Sequence, residues 1–262
     1  MRINSSPDRR IGIGKKEGLN YLEFHFFEEL EFLRHGLILG YENGKKIKAG
    51  DIPGLLSIVS DIPQKDFKVI VPKQIHQTGV EIFSKEKLTE EDAFSGEVIR
   101  PEADALLTNR DNLFLVIQIA DCLPVFLVDP SSEVIGLAHI GWRGALLGMA
   151  ENFIDNVIKN FNCNPEDVKL VFGPAIGKCC YHISDSLAIL INNKYIKENG
   201  TDKYLDLNGY VKDRFLKTGV RDKNIFISGE CTCCGNKLYQ SYRRERDKAG
   251  RMIAFIGKVK NN

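Results

Sequence analysis

The chain has 262 residues, 36 Lys and Arg against 35 Asp and Glu, a formal net charge of +1 and 43% hydrophobic residues. That balance leaves no basic field for nucleic acid or an acidic membrane surface, and no apolar run approaches the roughly 18 residues that span a bilayer. The length suffices for one self-supporting core, and an odd count of seven cysteines points to reduced thiols in a cytoplasm rather than a disulfide framework.

The first 20 residues are polar and glycine-containing and read as an arm or edge strand; the start has charges but no apolar segment of a secretory signal. Gly12, Gly14 and Gly18 imitate a dinucleotide fingerprint, but neither an apolar strand nor a helix flanks them. From Tyr21 to Leu39 the chain is apolar, and Asn43-Gly44 predicts a hairpin between Leu37–Tyr41 and Lys46–Ala49. A short buried strand over Lys68–Val71 ends at Pro72, followed by a charged, exposed stretch from Ser84 to Glu102. Three continuous apolar runs follow, Leu113–Ala120, Leu123–Asp129 and Val134–Ala138, and these suit strands buried on both faces. The turn Asp129-Pro130-Ser131-Ser132 is short enough to make a hairpin of the last two.

After Gly144, apolar residues at Leu146, Ala150, Phe153, Val157 and Phe161 keep the spacing of one helix face. Lys169–Gly173 reads as a strand, Asp185–Glu198 as a helix capped by Ser184, and Leu207–Thr218 as a second helix. Strands at Ile225–Ser228 and Ile253–Ile256 close the chain. No repeat or linker divides it, so residues 1–262 read as a single α+β domain with mixed sheets sandwiched by helices.

Three polar residues stand immediately beyond buried strands: His76, Cys122 and His139. Two imidazoles and a thiolate form a three-ligand set for Zn²⁺ that leaves a fourth position open, the arrangement of a catalytic site. The same residues also suit a thiolate nucleophile, Cys122, with either histidine as base. Read singly, each is better taken as an ordinary core residue, and it is their shared position at strand ends that favours a joint site. Gly141-Trp142-Arg143-Gly144 lies between a strand end and the best helix, where Arg143 and free backbone N–H groups suit a phosphate or carboxylate; alternatively Arg143 pairs with Asp104 or Asp121 in a structural ion pair. Cys231 and Cys234 have CxxC spacing, with Cys233 between them, but the partner pair, Cys179-Cys180, is adjacent, whereas zinc ribbons use a second CxxC. Spacing thus argues against a tetracysteine site. Cys163 has no assigned role.

Five segments in order, EADALLTNRDN, IADCLPVFLVDP, AHIGWRGALLG, GPAIGKCCY and CTCCGNKLYQSYRR, resemble the YfiH-like family from about Lys73 to Arg251. This family is also called the multicopper polyphenol oxidase or laccase-domain family, and its members purine nucleoside phosphorylase or peptidoglycan editing factor. The resemblance implies a YfiH-like α+β fold and a metal, zinc rather than copper, at His76, Cys122 and His139. It implies phosphorolysis of adenosine, inosine and 5'-methylthioadenosine, with deamination of adenosine beside it. Purine nucleoside and phosphate would then be the small-molecule partners of a monomer or homodimer. Within that chemistry Arg143 positions phosphate and Asp104 or Asp121 acts as acid toward the purine, a role that needs a raised pKa. The alternatives are an amidase editing peptidoglycan precursors and a non-catalytic scaffold that retains the fold.

Departures from the family pattern concentrate near the amino terminus. An Arg-Gly-Gly segment and a Leu-Asn-Leu-Gly stretch are missing, and Arg34 or Lys45 is the available substitute cation. Ile119, Ile140, Lys178 and His182 stand where Thr, Ala, Pro and Glu are usual.

Overall fold

The computed structural model describes residues 10–41, 46–85 and 98–259. In chain order the strands are β1 (Ile11–Lys16), β2 (Leu19–Phe24), β3 (Leu33–Tyr41), β4 (Lys68–Ile70), β5 (Val80–Phe83), β6 (Ala105–Thr108), β7 (Leu113–Ile119), β8 (Leu123–Asp129) and β9 (Val134–Ile140). They continue with β10 (Lys169–Phe172), β11 (His182–Ile183), β12 (Ile196–Asn199), β13 (Asp202–Leu205), β14 (Ile225–Ile227) and β15 (Met252–Lys258). The α-helices are α1 (Ile52–Ser60), α2 (Trp142–Leu146), α3 (Met149–Phe161), α4 (Asp185–Ala188), α5 (Leu207–Lys217) and α6 (Tyr242–Glu245). None of the described helices is long and apolar enough to cross a membrane.

Two six-stranded sheets form the centre, in the orders β1-β2-β3-β15-β7-β4 and β14-β10-β8-β9-β6-β5. Each mixes antiparallel pairs with parallel ones: β4 runs parallel to β7, β14 to β10 and β5 to β6. Period-two alternation explains the layering. In β7, Leu113, Leu115, Ile117 and Ile119 enter the core between the sheets, while Phe114 and Val116 pack toward α1. In β8, Phe126 and Val128 enter the same inter-sheet core, and Val125 and Leu127 pack toward α3 and α5. Strands with an apolar layer on each face must be apolar throughout, which is why these runs are continuous. The result is the expected α+β sandwich of mixed sheets between helices.

Several expectations need correction. The edge strand at the amino terminus is present as β1, and its hairpin with β2 turns at Glu17-Gly18, both at positive φ. The hairpin expected at Asn43-Gly44 turns outside the described residues, and Lys46–Lys48 forms no strand; β3 pairs instead with β2 and β15. Most of the charged stretch, residues 86–97, also lies outside them, and Ser84 is buried. The helix after Gly144 is in fact two, because Gly148 adopts φ 92 between α2 and α3. The helix expected over Asp185–Glu198 stops after one turn. Ser184 does cap it, accepting from Leu187 N, but Gly200-Thr201, with Gly200 at φ 61, folds Ile196–Leu205 into the β12–β13 hairpin. Within that stretch Ala188 and Ile191 are buried, while Ile189 and Leu190 are exposed.

Candidate metal centre and cleft

β7 belongs to one central sheet and β8 to the other, so the chain crosses between sheets within Ala120-Asp121-Cys122. Asp121 makes the turn at φ 89. Its two carboxylate oxygens accept from Thr232 Oγ1 and Arg243 N, both at 2.6 Å, which holds the left-handed backbone. Cys122 is thereby set against β9, where His139 stands opposite Pro124 near the strand's end.

His76 reaches the same point from the loop after β4. Its backbone also has positive φ, 59. Asp104 is fully buried and accepts the N–H groups of Ile75, His76 and Gln77 at 3.2, 3.0 and 2.7 Å, so three successive amides close on one carboxylate. Gln74 ties the loop to β7 by exchanging two hydrogen bonds with the Gln118 backbone. The ligand atoms of His76, Cys122 and His139 lie within 4.8 Å of one another. The two rings stand 4.8 Å apart at 86°. Gly141 backs the cluster: a Cβ there would lie 3.3 Å from Cys122 Sγ and 3.5 Å from His76 Cδ2.

Asp104 also fixes the ionisation of the cluster. His139 Nδ1 donates to Asp104 Oδ1 at 2.9 Å, which turns Nε2 toward the other two residues. Burial opposes charge on Asp104, yet the hydrogen bonds from His139 and the backbone outweigh it and hold the carboxyl below the usual range. Burial would lower His139; Asp104 and Cys122 outweigh it and push the imidazole up to about 9. Burial would raise Cys122, but the two histidines bring its thiol down to about 6. A cluster that runs from buried His139 through half-buried Cys122 to exposed His76, and that gathers negative charge with protons held in compensation, is chemically suited to a cation.

The cluster opens on a cleft of about 1230 Å³. One wall is the loop after β4 and the end of β7; the other is built by α4 and by β11, the inner end of the small sheet β11-β13-β12. Trp142, Tyr181 and Tyr242 supply flat surfaces, and Lys73, Arg100, Arg243 and Arg251 supply positive charge. The Arg243 guanidinium lies 5.5 Å from the Tyr181 ring and donates to the carbonyls of Cys180 and His182, both at 3.1 Å. Two of its five N–H groups suffice for those contacts.

The structure brings together the three residues expected to bind metal. It does not bring Arg143 to the cleft: that side chain is exposed and lies against Trp142, 4.9 Å from the ring. Nor does α2, one turn long, offer the helix terminus expected to hold phosphate. Asp104 lacks the raised pKa required of the acid, because every neighbour it has favours its charge. Asp121 lines the cleft with both oxygens engaged. Arg34 donates to the carbonyls of Glu31 and Leu33, away from the cleft, and Lys45 lies outside the described residues. Sequence reasoning missed Arg243 and Arg251, although Arg243 sits inside one of the five ordered segments.

A family model described as multi-copper polyphenol oxidoreductase laccase matches residues 57–258. A protein named purine nucleoside phosphorylase YlmD from Geobacillus stearothermophilus is 35% identical over 166 residues, 60% of this chain and 61% of that one. The YlmD of Bacillus subtilis is 33% identical with 58% of its length matched, so the alignments span about three fifths of these relatives. Purine nucleoside phosphorylase SSP1584 from Staphylococcus saprophyticus is 33% identical over 211 residues, 78% of this chain and 77% of that one. Among solved structures, a Bacillus licheniformis protein titled YfiH superposes with a TM-score of 0.75 at 28% identity, covering 92% of this chain and 96% of the other. The Geobacillus stearothermophilus YlmD structure gives 0.77 at 25% identity, covering 95% and 99%.

Proposed function

The chain belongs to the multi-copper polyphenol oxidoreductase laccase family, and from that premise we propose that it is a purine nucleoside phosphorylase whose chemistry takes place in the cleft at His76, Cys122 and His139. The observation that carries this reading is the placement of a two-imidazole, one-thiolate cluster at the floor of a cleft furnished with flat rings and arginines. Relatives at 33–35% identity named as purine nucleoside phosphorylases supply the substrate class. Adenosine, inosine and 5'-methylthioadenosine are the substrates assigned, with phosphate as co-substrate.

The metal assigned is zinc. Three protein ligands with an open position suit it, whereas a multicopper centre needs several more imidazoles than the two present here. Bound at this point, the ion supplies a Lewis acid that stabilises negative charge on a substrate oxygen. Asp104 holds His139 in the tautomer that presents Nε2 and holds the His76 loop in place. Trp142, Tyr181 and Tyr242 offer faces for a purine, and Arg243, with Arg251, Lys73 and Arg100, offers the charge-assisted contacts that phosphate requires. Phosphate positioning therefore passes from Arg143 to Arg243. Asp121 orders the Arg243 backbone and the 120–122 turn rather than acting as acid.

The test is direct. Metal-loaded protein incubated with adenosine should release adenine and ribose 1-phosphate only when phosphate is present, with inosine followed in the same chromatogram as the readout of deamination. No product from metal-loaded protein, or product that persists in Cys122→Ala, would overturn the assignment. One geometric fact favours a second reading: Cys122 Sγ lies within reach of two imidazoles, which is the arrangement of a thiolate nucleophile with its base, as an amidase acting on cell-wall fragments would need. Alkylation of Cys122 that zinc fails to block, with no phosphorolysis, would favour that alternative.

A further inference from the structure

Five cysteines that the cleft chemistry does not use lie on two loops, and four of them converge while Cys233 stays outside the group. The first loop follows β10 and carries Cys179 and Cys180; the second follows β14 and carries Cys231 and Cys234. They are 51 or more positions apart in the chain, but β10 and β14 are parallel neighbours, so both loops leave the same edge in the same direction. A parallel bridge between Ala175 and Cys231 continues the pairing past the strands, with Ala175 N donating to Glu230 O and Thr232 N to Ala175 O at 3.2 and 3.0 Å. This bridge brings the four sulfurs within 4.8 Å of one another. We propose that Cys179, Cys180, Cys231 and Cys234 form a second metal site, a closed tetrathiolate for Zn²⁺ that is separate from the cleft.

Three observations carry the assignment. The first is spacing. A tetrahedral zinc with Zn–S near 2.3 Å sets its sulfurs about 3.8 Å apart. Cys179 and Cys234 are already 3.3 Å apart and all four fit within 4.8 Å, so small side-chain rotations complete the tetrahedron. The second is the backbone. Gly177 N–H donates to Cys231 Sγ at 3.3 Å, the kind of amide contact that neutralises part of a metal-bound thiolate's charge. Cys180 N and Tyr181 N both close on Gly177 O at 2.9 Å, and Gly235 N closes on Cys231 O at 2.9 Å, so each cysteine pair sits on a tight turn. The third is the glycine beside each pair. A Cβ at Gly235 would fall 2.3 Å from Cys231 O, and one at Gly177 would lie 3.3 Å from Cys179 Sγ and 3.4 Å from Cys231 Cβ. The second turn therefore admits no side chain at Gly235, and one at Gly177 would press on the converging cysteines. A disulfide uses two sulfurs and gives no reason for the other two to be there.

Binding Zn²⁺ displaces the thiol protons to solvent and changes no oxidation state. Cys179 and Cys234 are exposed, so the ion has a way in. Its role would be structural: Cys180 precedes the cleft residues Tyr181 and His182, and Thr232, between the second pair, holds Asp121.

The test uses the full chain, purified under reducing conditions without chelator. In Cys122→Ala, which removes a cleft ligand, one equivalent of zinc should remain by elemental mass spectrometry, and X-ray absorption should show four sulfur neighbours. Cys231→Ser should lose one equivalent relative to the parent, and the double variant should bind none. Should Cys231→Ser fail to fold, the Cys122→Ala measurement decides alone. No zinc in Cys122→Ala, a nitrogen-containing shell there, or a Cys179–Cys234 disulfide by peptide mapping would each overturn the proposal. If the cleft holds no metal, the parent and Cys122→Ala carry the same single equivalent, so failure there is told apart from failure here.

Discussion

The two sulfur-containing clusters differ in how they are closed. His76, Cys122 and His139 present three donors at the floor of a cleft, and their backbone is held by the carboxylates of Asp104 and Asp121. Cys179, Cys180, Cys231 and Cys234 present four donors with no cleft attached, supported by short loops and two glycines. Three donors leave room for substrate, and four leave none, so openness rather than donor chemistry separates a reacting centre from a fastening. The supports differ accordingly. The cleft cluster rests on a buried carboxylate that holds residues in left-handed backbone, whereas the tetracysteine cluster rests on parallel-strand pairing.

The comparison breaks most visibly at Asp104. Asp104→Ala removes one acceptor for three amides and for His139, and should cost about 3–5 kcal/mol in urea unfolding. Zinc should leave the cleft and stay at the cysteines. Equal loss from both would show that the clusters are one unit. Acid sets the next largest effect. His35 is packed against Phe24 and Phe27 and donates to Phe24 O at 3.0 Å; burial, against that bond, holds it at about 4. The unfolded chain takes up this proton near pH 6.5, so stability is complete above that value, falls as pH drops from 6.5 to 4 and levels off below. The loss is at most about 3 kcal/mol. Urea midpoints measured across that range should flatten in His35→Phe, and any acid titration of the two clusters needs to stay above it.

Gly235→Ala addresses the other side of the comparison. Its Cβ collides with a backbone carbonyl, which should cost about 1–3 kcal/mol and weaken zinc at the cysteines while the cleft's equivalent persists. The smallest effect is expected of Arg243→Lys. Losing the planar fork should raise the KM for phosphate roughly tenfold while leaving both zinc equivalents in place. An unchanged KM would return phosphate binding to the other cleft cations.

How much of this was legible beforehand follows from where the information lies. β7, β8 and β9 were readable because each is buried on both faces and so is apolar at nearly every position. His76, Cys122 and His139 were readable because a polar residue beside such a run is conspicuous. The tetracysteine cluster was not, since a spacing rule looks along the chain and the convergence comes from the parallel pairing of β10 with β14. Arg143 misled because helical periodicity does not reveal the break at Gly148, nor that α2 turns this side chain to solvent. Arg243 was hidden because its position depends on Asp121, 122 positions earlier. The two-residue turn at Gly200-Thr201 was masked by the reading of one helix across Asp185–Glu198, whose apolar residues include buried Ala188 and Ile191 beside exposed Ile189 and Leu190.

The crossing at Ala120-Asp121-Cys122 has a mechanical consequence. His76 lies in the loop that leaves β4 of one sheet for β5 of the other, tied to β7 by Gln74 and to Asp104 by its own N–H, His139 belongs to the second sheet, and Cys122 stands at the step between them. Relative movement of the two sheets would have to pass through that crossing and through the loop that bears His76. The cleft cluster is therefore a gauge across the seam of the molecule, and an ion gripped there would act as a rivet through both sheets.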